Sequence, residues 1–208
     1  MESVMKKVII CLSMLFTSLV NAEGDAELGK AKSVMCASCH GVDGNSSNPV
    51  WPKLAGQHQA YISRQLSLFK QGERPATVMA GMVAALNDED MKNLAAFYAS
   101  QKSSTGSADE NLIEVGKAIY QGGVSKLKIP ACMACHGITG QGNPLSGYPV
   151  LAGQHAAYTE QRLLAFKAGE TLKDEDDVNG KIMAGVVKYL SDDEIKAVAS
   201  YIQGLYAE

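Results

Sequence analysis

Apolar residues recur along this chain at helical spacing. Ile62, Leu66 and Phe69 fall on one face of a 3.6-residue helix, and Met91, Leu94, Ala95 and Tyr98 form a second stripe. Near the C-terminus Ile195, Val198, Ala199 and Ile202 repeat the pattern, and Ser191 followed by Glu194 has the spacing of a capping box that opens that helix. Leu28-Gly29-Lys30-Ala31 and Val115-Gly116-Lys117-Ala118 pair as earlier helical segments. No stretch shows the period-2 alternation of a strand, so the expected fold class is all-α.

The stripes belong to a duplication. Leu54-Ala55-Gly56-Gln57-His58 recurs 97 positions later as Leu151-Ala152-Gly153-Gln154-His155. Ala60-Tyr61, Leu66, Phe69-Lys70 and Gly72-Glu73 match Ala157-Tyr158, Leu163, Phe166-Lys167 and Gly169-Glu170 at the same shift. Met79-Ala80-Gly81 then matches Met183-Ala184-Gly185 at 104 positions, so the second copy carries an acidic insertion around 173–180. Its Asp174-Glu175-Asp176-Asp177 run reads as a solvated loop. The second copy also has an extra loop over 122–130, and each methionine is expected in a loop ahead of a closing helix. Ser103-Ser104-Thr105-Gly106-Ser107 is small and polar, a linker signal. The expected organisation is a leader over 1–22, one module over 23–106 and a second over 107–208.

The leader is read from Lys6 and Lys7, the apolar run 8–20, and Val20-Asn21-Ala22 before a cut after Ala22. The run is too short to span a bilayer comfortably. Its removal takes the formal charge from -3 to -4, because Lys6, Lys7 and Glu2 leave with it. An acidic chain without a basic run is a poor match for nucleic acid. Of the 5 cysteines, Cys11 lies in the leader, and the other four form two identical patterns with no pair left for a structural disulfide. That usage suits an exported protein.

Those patterns carry the chemistry. Cys36-Ala37-Ser38-Cys39-His40 and Cys132-Met133-Ala134-Cys135-His136 are both Cys-x-x-Cys-His, the attachment pattern of a c-type haem. Two thiols form thioethers with the porphyrin vinyl groups, and the adjacent histidine becomes an axial ligand of iron. Two copies imply two covalently bound haem c groups and single-electron chemistry. Porphyrin in the core also accounts for an aromatic content of only 6%. Zinc would explain neither the histidine after each second cysteine nor the matched methionines. A thioredoxin-like motif would need an α/β pattern, which is absent.

The repeat also narrows the sixth ligand. Of Met79, Met82 and Met91, only Met79 has a methionine counterpart, Met183. Thioether sulfur suits haem iron in an electron carrier and raises its potential. Met79 and Met183 are therefore the preferred ligands, with His58 and His155 as rivals whose other role is polar capping or hydrogen bonding at a helix start. Each axial histidine should donate its second ring nitrogen to a carbonyl near Pro49 or Pro52 in one module, and near Pro144 or Pro149 in the other.

With both haem motifs, both Leu-Ala-Gly-Gln-His segments, both Met-Ala-Gly segments and the Ser200-Tyr201-Ile202-Gln203-Gly204-Leu205 ending in view, the mature chain resembles the cytochrome c4 family. The resemblance implies two tandem cytochrome c-like domains related by pseudo-twofold symmetry, with the haem propionate edges approaching at their interface. It implies crossed first and last helices, with Gly29 near Phe97 or Tyr98 and Gly116 near Tyr201. It also implies an electron carrier rather than an enzyme, working in the periplasm in loose association with the inner membrane. The expected partners are redox proteins, with a membrane quinol-oxidising complex as donor and a terminal oxidase as acceptor. The alternatives are an electron-relay subunit of a periplasmic oxidoreductase, such as one oxidising sulfur compounds, or a dihaem peroxidase-like enzyme. No signalling or output segment points to a haem sensor.

Overall fold

Each apolar stripe is buried against a helix of its own module. The structure is a computed structural model that describes residues 24–170 and 177–206. In the first module α1 (Ala26–Lys32), α2 (Val34–His40), α3 (Gln59–Gln71), α4 (Thr77–Val83) and α5 (Asp88–Ser100) follow in order. The second repeats them as α6 (Ile113–Gly122), α7 (Met133–His136), α8 (Ala156–Lys167), α9 (Val178–Val187) and α10 (Asp192–Gly204). Among the described residues there are no strands, only isolated pairings at Val124 with Ile129 and Asn143 with Tyr148. The first of these closes the extra loop of the second module around a single 3₁₀ turn, Ser125–Leu127.

The opening and closing helices of each module pack tightly because glycine lets them. A β-carbon on Gly29 would lie 1.9 Å from the Asn93 carbonyl oxygen and 2.9 Å from Phe97 Cβ. One on Gly116 would lie 2.3 Å from the Ala197 oxygen and 2.7 Å from Tyr201 Cβ. Both contacts expected of these glycines are present. Asp25 starts α1 by accepting hydrogen bonds from the Glu27 and Leu28 amides. Ser191 and Glu194 form the expected capping box on α10, and Asn87 with Asp90 forms its equivalent on α5. Each such cap satisfies helix amides that would otherwise lack partners.

The stripes form the cores. Ile62, Leu94, Ala95, Phe97 and Tyr98 cluster in the first module. Ile119, Tyr120, Leu163, Ile195, Val198 and Ile202 are among those clustering in the second. Burying one such side chain contributes about 1.5–3 kcal/mol, which holds α3 and α8 against the crossed pairs.

Two expectations need correction. The methionine segments are helical: Met79 lies in α4 and Met183 in α9. Asp177 is not a solvated loop residue. It is 3% exposed, accepts the Gly180 amide as N-cap of α9, and lies 3.5 Å from Arg64 of the first module. An N-cap carboxylate facing a guanidinium across a module boundary has reason to be buried. The expected leader, Cys11 and residues 174–176 of the acidic run lie outside the described residues.

The modules meet along a two-sided seam. Gln57 reaches the Val150 backbone and Gln154 reaches the Lys53 backbone, both glutamines being at matched repeat positions. Arg74 Nη2 donates to the Tyr158 hydroxyl at 3.1 Å, and His155 Nε2 donates to the Ser46 carbonyl at 2.7 Å. The linker is fastened along this seam. Lys53 Nζ donates to the Ser104 carbonyl, the Ser104 amide donates to Asn45, and Gln203 donates to the Ser107 carbonyl.

Candidate functional site

Each haem motif occupies one short helix and ends on a glycine that turns the chain back. Cys36 and Cys39 lie three residues apart on α2, so both sulfurs share a face of that helix, with His40 next to them. Cys132 is the N-cap of α7, which carries Cys135 and His136. Gly41 and Gly137 follow at φ +82° and +80°. A β-carbon at Gly41 would stand 2.8 Å from the Asn45 carbonyl oxygen, so side chains are excluded on two counts. The turn returns the chain over the histidine ring.

That return supplies the expected acceptors and decides which proline provides each. His40 Nδ1 donates to the Pro52 carbonyl at 2.8 Å, and His136 Nδ1 donates to the Pro149 carbonyl at 3.1 Å. Donation from Nδ1 leaves Nε2 as the ring nitrogen with a free lone pair, the arrangement a metal-binding imidazole needs. Burial pushes both rings below the usual histidine range, although the carbonyl contact acts in the opposite sense. Both are therefore neutral and able to bind iron at neutral pH.

Burial also raises the thiols of Cys36 and Cys132, the latter to about 11. Zinc takes thiolates, and among the described residues no three His, Cys, Asp or Glu side chains gather as a metal cluster. The donor set fits covalent haem instead, with two cysteines and one oriented neutral imidazole per module. Exposed apolar side chains flank both motifs: Val34 and Met35 in the first module, Ile138 in the second.

Met79 and Met183 are both half-buried, at matched positions on α4 and α9. Met183 packs against the same core cluster as Cys132. The rival histidines face the seam. His58 and His155 are N-caps of α3 and α8 by backbone position, but neither side chain caps. The preceding glutamines accept the histidine amides at 3.0 Å instead. His155 is engaged by Ser46 of the other module. His58 Nε2 is buried without a hydrogen-bond partner and stands near the Gln141 carbonyl of the other module.

Two pairs of residues around the motifs escaped the sequence reading. Tyr98 and Tyr120 each stand beside the first cysteine of their module, and burial pushes both phenols up. Tyr120 donates to the Gly137 carbonyl at 2.7 Å, whereas the Tyr98 hydroxyl has no hydrogen-bond partner. They come from different helices, so the repeat does not align them. Gln57 and Gln154 were visible as a matched pair, but nothing in the pattern said that they cross.

Comparison with known proteins points the same way. The Cytochrome c family model matches residues 26–102 and again 113–206. A protein of Pseudomonas aeruginosa described as cytochrome c4 is 43% identical over 199 residues, covering 96% of this chain and 98% of that one. The crystal structure of reduced recombinant cytochrome c4 from Pseudomonas stutzeri superposes with a TM-score of 0.83 at 44% identity, covering 88% of this chain and all of that one. A thiosulfate dehydrogenase electron acceptor of Stutzerimonas stutzeri is 36% identical over 173 residues, covering 81% of this chain and 78% of that protein.

Proposed function

The chain belongs to the cytochrome c family, in its dihaem cytochrome c4 branch, and from that premise we propose that it carries single electrons in the periplasm between a membrane quinol-oxidising complex and a terminal oxidase. It is an electron carrier with two covalent haem c groups, not an enzyme. The groups supply reversible one-electron chemistry at iron, and the chain sets their environment.

In this reading Cys36, Cys39, Cys132 and Cys135 would hold the two groups, and His40 with Met79 and His136 with Met183 would bind the irons. The leader is cut after Ala22, and the modules divide at 106/107. The observation that carries the reading is the paired histidine geometry, with both Nδ1 atoms tied to proline carbonyls and both Nε2 atoms free to bind. Pro52 and Pro149 hold the rings in place, so little rearrangement accompanies electron transfer. The crossed seam holds the modules side by side, which favours passage of an electron between them. Loose association with the inner membrane would keep the protein near its partners. No helix among the described residues is long and apolar enough to cross a membrane.

A second reading has a specific observation behind it. The likeness to a thiosulfate dehydrogenase electron acceptor favours a relay that takes electrons from sulfur-compound oxidation. The two differ in donor alone: reduction by a quinol-oxidising complex supports the first, and reduction by a thiosulfate-oxidising enzyme supports the second.

Ligation is tested by Met79→Leu and Met183→Leu. Each variant should abolish about half of the weak long-wavelength band that methionine sulfur gives with ferric haem, and the double variant should abolish all of it. A full band in the double variant would exclude these ligands.

A further inference from the structure

The glutamines of the seam do more than join two surfaces. Gln154 Oε1 accepts the Lys53 amide at 2.9 Å, and its Nε2 donates to the Lys53 carbonyl at 2.9 Å. Gln57 treats Val150 in the same way, at 2.8 and 2.9 Å. Each contact fixes the orientation of the carboxamide, because only oxygen can face the amide and only nitrogen the carbonyl. The Lys53 amide belongs to the Pro52–Lys53 peptide, whose carbonyl accepts His40 Nδ1. The Val150 amide belongs to the Pro149–Val150 peptide, whose carbonyl accepts His136 Nδ1. One peptide unit therefore lies between the histidine of each module and the glutamine of the other.

We propose that Gln57 and Gln154 are crossed positioning residues, each tuning the iron site of the opposite module through the peptide it holds there. This deepens the proposed function and rests on His40 and His136 being iron ligands. An amide that donates to Gln154 polarises its peptide and makes the Pro52 oxygen a stronger acceptor, since hydrogen bonds in a chain reinforce one another. The stronger acceptor draws the His40 Nδ1 proton further and makes the ring a more electron-rich ligand. An electron-rich imidazole favours ferric iron, so the glutamine of one module lowers the potential of the other. The same contact makes the potential of each module sensitive to closure of the seam.

The test uses the exported, haem-loaded full chain with ¹⁵N-labelled histidine. In the reduced, diamagnetic protein both His40 and His136 should show the large ring-current shifts of iron ligands. If they do not, the ligand assignment fails and takes this inference with it. Given those shifts, Gln154→Met should move the His40 Nδ1 proton upfield and raise the potential of the first module alone. Gln57→Met should do the same to His136 and the second module. Tyr158→Phe removes a seam contact, the hydrogen bond from Arg74, that touches neither histidine-bound peptide, and should leave both Nδ1 protons in place. Movement in the glutamine's own module, equal movement in both, or no movement in spectra that still show a folded protein would each overturn the proposal.

Discussion

The two modules solve one packing problem with different residues. In the first, the opening helix ends on the small Ser33 and the closing helix supplies Tyr98 beside Cys36. In the second, the opening helix supplies Tyr120 beside Cys132, and the closing helix has Ile202 at the position matching Tyr98. Both tyrosines are almost wholly buried, at 2% and 0% exposure. Phe97 and Tyr201, at matched positions, each pack against the local tyrosine, with ring centroids 5.0 and 5.5 Å apart. What is shared is a filled volume next to the first cysteine, not the residue that fills it, as close packing requires. The modules differ electronically as well. The His40–Pro52 bond is 2.8 Å and the His136–Pro149 bond 3.1 Å; with both rings on iron as proposed, the shorter bond predicts the more electron-rich ring, and so the lower potential, in the first module.

The sharpest way to break this comparison is to convert one module into the other. Tyr98→Ile should destabilise the first module by about 2–4 kcal/mol, the range for large-to-small core changes. Adding Ser33→Tyr should restore much of that loss, whereas Ser33→Tyr alone should overpack the same space and cost about 1–3 kcal/mol. Denaturant unfolding of the haem-loaded protein, followed in the haem absorption of each module, reads all three. If the double variant is no better than Tyr98→Ile, the tyrosines are not interchangeable fillers.

Where the modules agree, their responses should agree. Gly29→Ala and Gly116→Ala should each cost about 1–3 kcal/mol, because both force apart a pair of crossed helices. A clear effect in only one module would mean that its partner can shift its helices at little cost. Removing the capping side chains by Asn87→Ala and Ser191→Ala should cost about 1 kcal/mol each. Thermal unfolding midpoints would compare the two.

The smallest expected effect is on the seam. His58 and His155 are both held below their ordinary value of 6.5, chiefly by burial, with Lys53 adding to the effect at His155. The closed seam therefore binds fewer protons than the open one. Its full stability is present above about pH 6.5 and falls as the pH drops through and below that value. Small-angle scattering at pH 7.5 and 5.5 should show modest loosening in acid. Tighter packing at the lower pH would contradict the assignment of neutral rings at the seam.

The helices were legible because their apolar spacing is strong and occurs twice. The matched cysteines, histidines and methionines stand out in the sequence because the motif is local and the repeat singles out Met79 and Met183; their roles at iron belong to the proposal. Several features were not. Asn87 with Asp90 caps α5 as Ser191 with Glu194 caps α10, but Asn and Asp in place of Ser and Glu depart from the familiar pattern. Asp177 looked like one of four solvated acids, because its partner Arg64 is distant in sequence and meets it only after the modules dock. The methionine segments looked like loops because glycine and short length obscure a helical stripe. The glutamine pairing spans 93 and 101 positions, and a repeat reports likeness, not contact. Tyr98 and Tyr120 do not align at all, since a swap across a helix pair leaves no mark in a one-dimensional comparison.

The most direct test of the account is a potentiometric titration of the exported protein, followed optically and with haem counted per chain. Two haems per chain, two one-electron steps with the first module reduced at the lower potential, and a methionine-type ferric spectrum for both are predicted. One haem per chain, or a spectrum showing histidine on both sides of either iron, would contradict it.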